Sequence, residues 1–213
     1  MRFLIDKSPK DVERKRELHP SLVEGQLCTP LTNYKNWGGV FAIDNGAYSG
    51  LDRDAWFRVL KKHEPYKDQC LFVAIPDIVG NALRTDDLYF HVTKDARTHP
   101  YTRQWAYVMQ DGHEDRRIDW NAMFGKWMFI GGTDRFKDSA AAYDIVKTAK
   151  ALGDIRIHVG RVNTPRRYEA YASLGCDTCD GNGVGQYDHM LDKIARAISG
   201  EPEPTLFDSE EAA

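Results

Sequence analysis

The chain repeats one pattern: a short, almost continuously apolar run ends on a polar residue or glycine, and a longer amphipathic stretch comes next. The runs cover 2–6, 40–43, 71–75, 105–109, 127–130, 155–159 and 176–180. Segments this short and this apolar read as strands buried on both faces, as in a parallel sheet. Between them, helical period is expected over 8–18, 52–63, 81–97, 120–124, 139–152, 164–174 and 187–199. Ser8-Pro9 and Thr164-Pro165 supply start signals. The segment 21–39 holds Pro30, Asn36 and Gly38-Gly39 without period, so it reads as loop with at most one extended piece.

Seven strand-then-helix units imply an α/β fold with a parallel sheet. A doubly wound sheet would concentrate its site at one switch point, whereas a barrel places chemistry at the carboxyl ends of many strands. Here the runs end in Asp44, Asp77, Gln110, Gly131-Gly132, Arg161 and Asp180. The expected architecture is therefore a compact or incomplete (β/α)8 TIM-like barrel. Its 213 residues fall short of the roughly 250 typical of that fold, and one strand is hidden or missing. Residues 1–200 are expected to form a single catalytic barrel domain, and 201–213, acidic and proline-bearing, a disordered tail.

Charge and composition narrow the function classes. A net charge of −3 argues against a wholly basic nucleic-acid binder, although arginines cluster locally. There is no run of about eighteen apolar residues and no basic-then-apolar leader, so no membrane partner is expected and the cytoplasm is the default compartment. Cys176 and Cys179 have metal-like spacing, but a structural zinc needs two further ligands, and Cys28 and Cys70 stand isolated. Structural thiols are the favoured reading, and neither a metal nor a cofactor is expected.

The most unusual stretch is 175–185, GCDTCDGNGVG, which holds two acids three residues apart and four glycines within eleven positions. Glycine contributes no buried side chain, so such a segment suits a backbone that approaches a ligand closely. Asp44, Asp77 and Asp180 on one barrel rim, with Tyr48 and Gln110 beside them, fit a substrate that becomes cationic in its transition state, as in glycosidic cleavage. Blander roles remain open at this point. Asp44 and Asp77 could cap helices, Tyr48 could be core, and Gln110 could be a satisfied buried amide. Asp177 reads as structural.

These residues also carry a family resemblance. Asp44-Asn45-Gly46-Ala47-Tyr48 resembles the Asp-Ser-Gly-Gly-Tyr/Phe motif of tRNA-guanine transglycosylases, (β/α)8 barrels that exchange a guanine in nucleic acid for a 7-deazaguanine base. Asp77, Gln110-Asp-Gly, Ile130-Gly131-Gly132, Gly160 through Pro165 and Gly175 through Asp180 are similar to further motifs of that family in the same order. The resemblance implies Asp180 as nucleophile at C1′ and Asp44 as general acid or base. It implies Asn45, Asp77, Gln110, Gly131, Gly132 and Arg161 around the base and sugar, with Tyr48 stacking on the base.

The departures are informative. The family's zinc subdomain has no counterpart after Asp180, which favours DNA over tRNA as the polymer. Thr133 through Lys137 replaces the family's Leu-Ala-Val-Gly-Glu, which lines the pocket for the base's 7-substituent, so the base is left undefined. The expected activity is cleavage of an N-glycosidic bond, with guanine exchanged for a free purine or deazapurine base. The alternatives are a DNA glycosylase that excises a modified base, for example from phage DNA, and a non-catalytic nucleotide-binding barrel.

Overall fold

The computed structural model describes residues 1–201 except 33 and 124. Beyond Glu201, the expected acidic tail lies outside the described residues. Eight parallel strands form a closed barrel in sequence order, with β8 returning to pair with β1. They are β1 (Arg2–Ile5), β2 (Val23–Cys28), β3 (Phe41–Ile43), β4 (Cys70–Ala74), β5 (Trp105–Met109), β6 (Trp127–Ile130), β7 (Arg156–Val159) and β8 (Thr178–Cys179). The barrel is complete, and the hidden strand is β2.

The one extended piece allowed within 21–39 is β2, a full strand of the barrel. Strand β2 interrupts its apolar residues with Glu24, Gly25 and Gln26, so it shows no continuous apolar run. Gln26 is fully buried because its side-chain amide donates to Lys7 O at 2.9 Å and Lys35 O at 3.0 Å. Those two bonds remove the usual objection to a buried amide.

The helices are α1 (Pro9–Leu18), α2 (Arg53–His63), α3 (Ala82–Val92), α4 (Trp120–Met123), α5 (Asp134–Lys137), α6 (Ala140–Leu152), α7 (Pro165–Ser173), α8 (Asn182–Gln186) and α9 (Asp188–Ser199). Side chains of Ser8, Asp52, Asn81, Thr133, Ser139 and Thr164 cap the helices that begin after them, satisfying N–H groups that have no partner within the helix. The helix expected over 81–97 stops at Val92, and a separate 3-10 turn, Ala96–Tyr101, begins after the Asp95 cap.

Alternation along the strands fills two layers. Leu4, Leu27, Ala42, Phe72, Ala74, Ala106, Val108, Trp127 and Phe129 pack as one cluster inside the barrel. Their neighbours Phe3, Ile5, Met128, Ile130, Ile157 and Val159 pack in a second cluster with residues of α6, α7 and α9. Side chains two positions apart share a face. The inward series therefore continues from Leu4 to Asp6, Leu27 to Thr29, Ala42 to Asp44, Val108 to Gln110 and Thr178 to Asp180, all at the same mouth.

Strand β8 has only two residues, yet it closes the barrel, pairing with Arg2 and Phe3 on one side and His158 and Val159 on the other. Asp177 braces its start, as its structural reading expects. One carboxylate oxygen accepts Lys150 Nζ at 2.6 Å and the Ile157 N–H at 2.7 Å. The Arg2 N–H donates to the Asp177 carbonyl at 3.0 Å.

Gly25 tests the assignment of β2. A methyl group there would overlap the carbonyl oxygen of Val40, which belongs to the backbone and cannot rotate away. Gly25→Ala is expected to lower the unfolding free energy by about 1–3 kcal/mol, measured by urea denaturation. A loop at this position would absorb the methyl group with no such loss.

Candidate functional site

Asp180 stands directly after β8 at the barrel mouth and is 13% exposed. His158, fully buried on β7, lies beneath it. Its Nε2 donates to Asp180 Oδ1 at 2.9 Å, and its Nδ1 meets the Thr178 hydroxyl at 2.9 Å. Phe72 and Phe129 pack against the imidazole at ring-centroid distances of 4.7 and 4.6 Å. The ring is thus fixed by a hydrogen bond at each nitrogen and an aromatic on two sides. The other carboxylate oxygen, Oδ2, accepts the Arg161 N–H at 3.3 Å. Arg161 adopts a left-handed backbone, with φ of 58°, and its amide donates to Asp180 from that conformation. Both oxygens of Asp180 are therefore oriented while one edge of the carboxylate faces the mouth.

Asp44, Asn45 and Tyr48 come after β3, and Asp77 comes after β4 beyond a bend through Pro76. Asp77 is buried and held by two side-chain amides: Asn45 Nδ2 donates to Oδ1 and Gln110 Nε2 to Oδ2, each at 2.6 Å. Asn45 also donates to Ile75 O and accepts the Ala47 N–H, while Gln110 accepts the Gly80 N–H. These bonds lock three of the sequence-derived residues into one array. Burial pushes the Asp77 carboxyl up to about 6, opposed by the Asn45 hydrogen bond. For Asp44 the rise reaches about 7, caused by burial first and then by the charges of Asp180 and Asp77.

A cavity at the centre of the mouth is lined by Asp44, Asn45, Tyr48, Asp77, Gln110, Gly131, Gly132, Arg161 and Asp180, so all nine sequence-derived site residues converge on it. Val79, Val108 and Phe129 supply its apolar walls. Two more of the nine have partners within the protein itself. Tyr48 is 65% exposed and stacks under the Arg161 guanidinium, 3.8 Å from ring centroid to Cζ, forming a rim rather than an inner wall. The Gly131 N–H is already donated to Met109 O at 3.0 Å, continuing the sheet. What Gly131 contributes is space, since a side chain there would strike Gln110 Nε2 and Val108.

A second, more polar cavity lies beside the first and shares Asp44, Tyr48, Arg161 and Asp180 with it. Asp6 and Thr29, from the ends of β1 and β2, line it together with Thr32 and Asn182. Asp6 accepts the Thr32 hydroxyl at 2.7 Å. Burial raises its pKa, the Thr32 bond opposes that rise, and the charge of Asp180 adds to it.

No family model and no curated protein matches the chain.

His158, Asp6 and Lys137 are site residues that sequence reasoning missed. His158 and Asp6 share the inward parity of their strands, the one signal that could have found them; Lys137 ends the segment 133–137 that stands in place of the resembled family's pocket-lining motif. The four cysteines are free, buried thiols, and burial raises the pKa of Cys176 and Cys179. Among the described residues, no group of three or more His, Cys, Asp or Glu side chains is arranged to hold a metal ion. No helix among them is long and apolar enough to cross a membrane.

The acids at the mouth are coupled, and the sign of that coupling can be measured. Removing the charge in Asp180→Asn should lower the Asp44 midpoint from about 7, seen by NMR titration of its carboxyl carbon. Because Asp44 binds its proton more tightly folded than unfolded, its contribution to stability falls as pH rises from the ordinary 3.8 to about 7. Asp44→Asn should flatten that limb of the stability profile. An unchanged Asp44 midpoint in Asp180→Asn would show that the two carboxylates do not interact.

Proposed function

We propose that the protein cleaves the N-glycosidic bond of a base in nucleic acid, with DNA the favoured polymer and Asp180 the nucleophile at C1′. The observation that carries this reading is the setting of Asp180. Its oxygens are held by His158 Nε2 and the Arg161 N–H, and it borders a cavity whose walls include apolar side chains and a fixed Asp77–Asn45–Gln110 array. A preorganised carboxylate beside a cationic sugar transition state stabilises it without reorganising at the moment of reaction. The family resemblance of these residues supports the same assignment.

In this reading the base leaves the stack and enters the central cavity, where Asp77 and Gln110 offer polar atoms to its edge. An Asp180 oxygen forms a bond to C1′ as the C1′–N bond breaks. Asp44 handles protons in both halves: with its carboxyl raised to about 7, it can donate to the departing base and later accept from the attacking group.

Exchange with a free 7-deazaguanine-type base is one way to resolve the sugar–Asp180 ester. Hydrolysis to an abasic site is the second, and the polar cavity against Asp180 favours it. Asp44 and Asp180 both border that cavity, so water entering it reaches the ester and its general base together. An enzyme restricted to base exchange must keep water out.

The test is incubation with normal DNA, base-modified DNA and tRNA, with mass analysis of released bases and alkali treatment to reveal abasic sites. Release with alkali-labile strands identifies hydrolysis, and release only when a deazaguanine is added identifies exchange. Asp180→Asn is expected to abolish release while polymer binding persists. His158→Phe should lower kcat by about tenfold or more with KM nearly unchanged, because it removes orientation rather than binding. Absence of release from every polymer, with and without added base, overturns the proposal and leaves a binding module.

A further inference from the structure

We propose that Lys137 is a catalytic group for the departing base: its ammonium, set in the wall of the central cavity, stabilises the negative charge that gathers on the base as its bond to C1′ breaks. The inference rests on the glycosidic-cleavage reading above.

Helix α5 is a single turn capped by Thr133, and it folds the Lys137 side chain back beneath Gly132. The side chain is 1% exposed and borders the same cavity as Asp77, Gln110 and Asp180. Its Nζ donates to Gly132 O at 3.2 Å. The nearest carboxylate oxygen, Asp134 Oδ1, is 3.9 Å away and is already shared by Arg161 Nη2 at 2.8 Å and Arg167 Nη1 at 3.1 Å. An ammonium has three donors, and one carbonyl with one distant, shared carboxylate leaves it undercompensated. A buried cation in that state is costly, so a fold with no use for the charge would do better with an apolar side chain here.

Burial and the neighbouring Arg161 charge lower the Lys137 pKa to about 8, while Asp134 and Asp180 oppose them, so the group stays cationic at neutral pH. In the cleavage step Asp180 donates an electron pair to C1′, and the pair of the C1′–N bond departs with the base. That charge spreads over the ring heteroatoms before a proton arrives from Asp44. Lys137 keeps its own proton throughout and acts through its field, which is strongest where water is excluded.

Urate, an anion at neutral pH, and hypoxanthine, a neutral purine, serve as probes of this field in calorimetric titrations of the full chain. Wild-type protein and Asp180→Asn are expected to bind urate at least about tenfold more tightly than hypoxanthine. Lys137→Met should lose that preference, Lys137→Arg should retain part of it, and Lys137→Met should melt no lower than wild type. With a polymer that the wild type cleaves, Lys137→Met should lose about a hundredfold in kcat, and the loss should shrink for bases that are better leaving groups.

A wild type that binds no urate, or shows no anion preference, overturns the proposal even if it releases base from DNA. So does a Lys137→Met protein that keeps the preference. Lys137→Gln serves as the second uncharged variant should the Met protein fail to fold. Absence of base release from every polymer counts instead against the cleavage reading, whatever the probes bind.

Discussion

The barrel closes on two residues, and the candidate nucleophile comes directly after them. Thr178 and Cys179 carry the pairing to both β1 and β7, so the last seam of the sheet is also the mount of Asp180. So short a strand gains little from its own ladder. Its position is held by Asp177, which takes Lys150 and the Ile157 N–H at its start, and by the bond between Asp180 and His158 beyond its end. Loosening either end would disturb closure and site together. Stability and site geometry are therefore linked here more tightly than at the ends of the longer strands.

Four carboxylates share one small mouth, and the protein accommodates them in different ways. Asp77 is clamped by two amides, Asp180 has a histidine and a backbone N–H, and Asp6 has a threonine hydroxyl. Asp44 accepts backbone N–H groups of Gly46 and Asn45, and its proton becomes hard to remove. Burial first, and then the charges of Asp180 and Asp77, raise the Asp44 carboxyl, while its backbone N–H bonds oppose the rise. One residue type thus stands at this mouth in four different hydrogen-bonding environments.

Much of this was legible in the sequence. Buried parallel strands advertise themselves as apolar runs, and the residue just beyond such a run lands at the mouth by parity alone; Asp44, Gln110 and Asp180 were visible for that reason. The remainder needed contacts between distant segments. Strand β2 hid because its buried polar residue, Gln26, is satisfied by carbonyls of Lys7 and Lys35. His158 looked like one more strand residue, since only the β7–β8 register sets it under Asp180. The departure of 133–137 from the resembled family's motif was visible, but the burial of Lys137 comes from how α5 packs. The packing of Tyr48 against the Arg161 guanidinium could not be read from residue order, and neither could the left-handed backbone of Arg161.

The aromatic packing below His158 has a further consequence. The Phe72 and Trp127 ring centroids lie 5.0 Å apart, and Phe72 and Phe129, themselves edge to face, both pack against the imidazole. Side chains plug the barrel beneath the site, so its interior offers no through-passage. Whatever enters at the strand ends must leave by the same face. A cavity with one doorway takes one occupant at a time: a bound molecule would have to clear the doorway before another could take the vacated place.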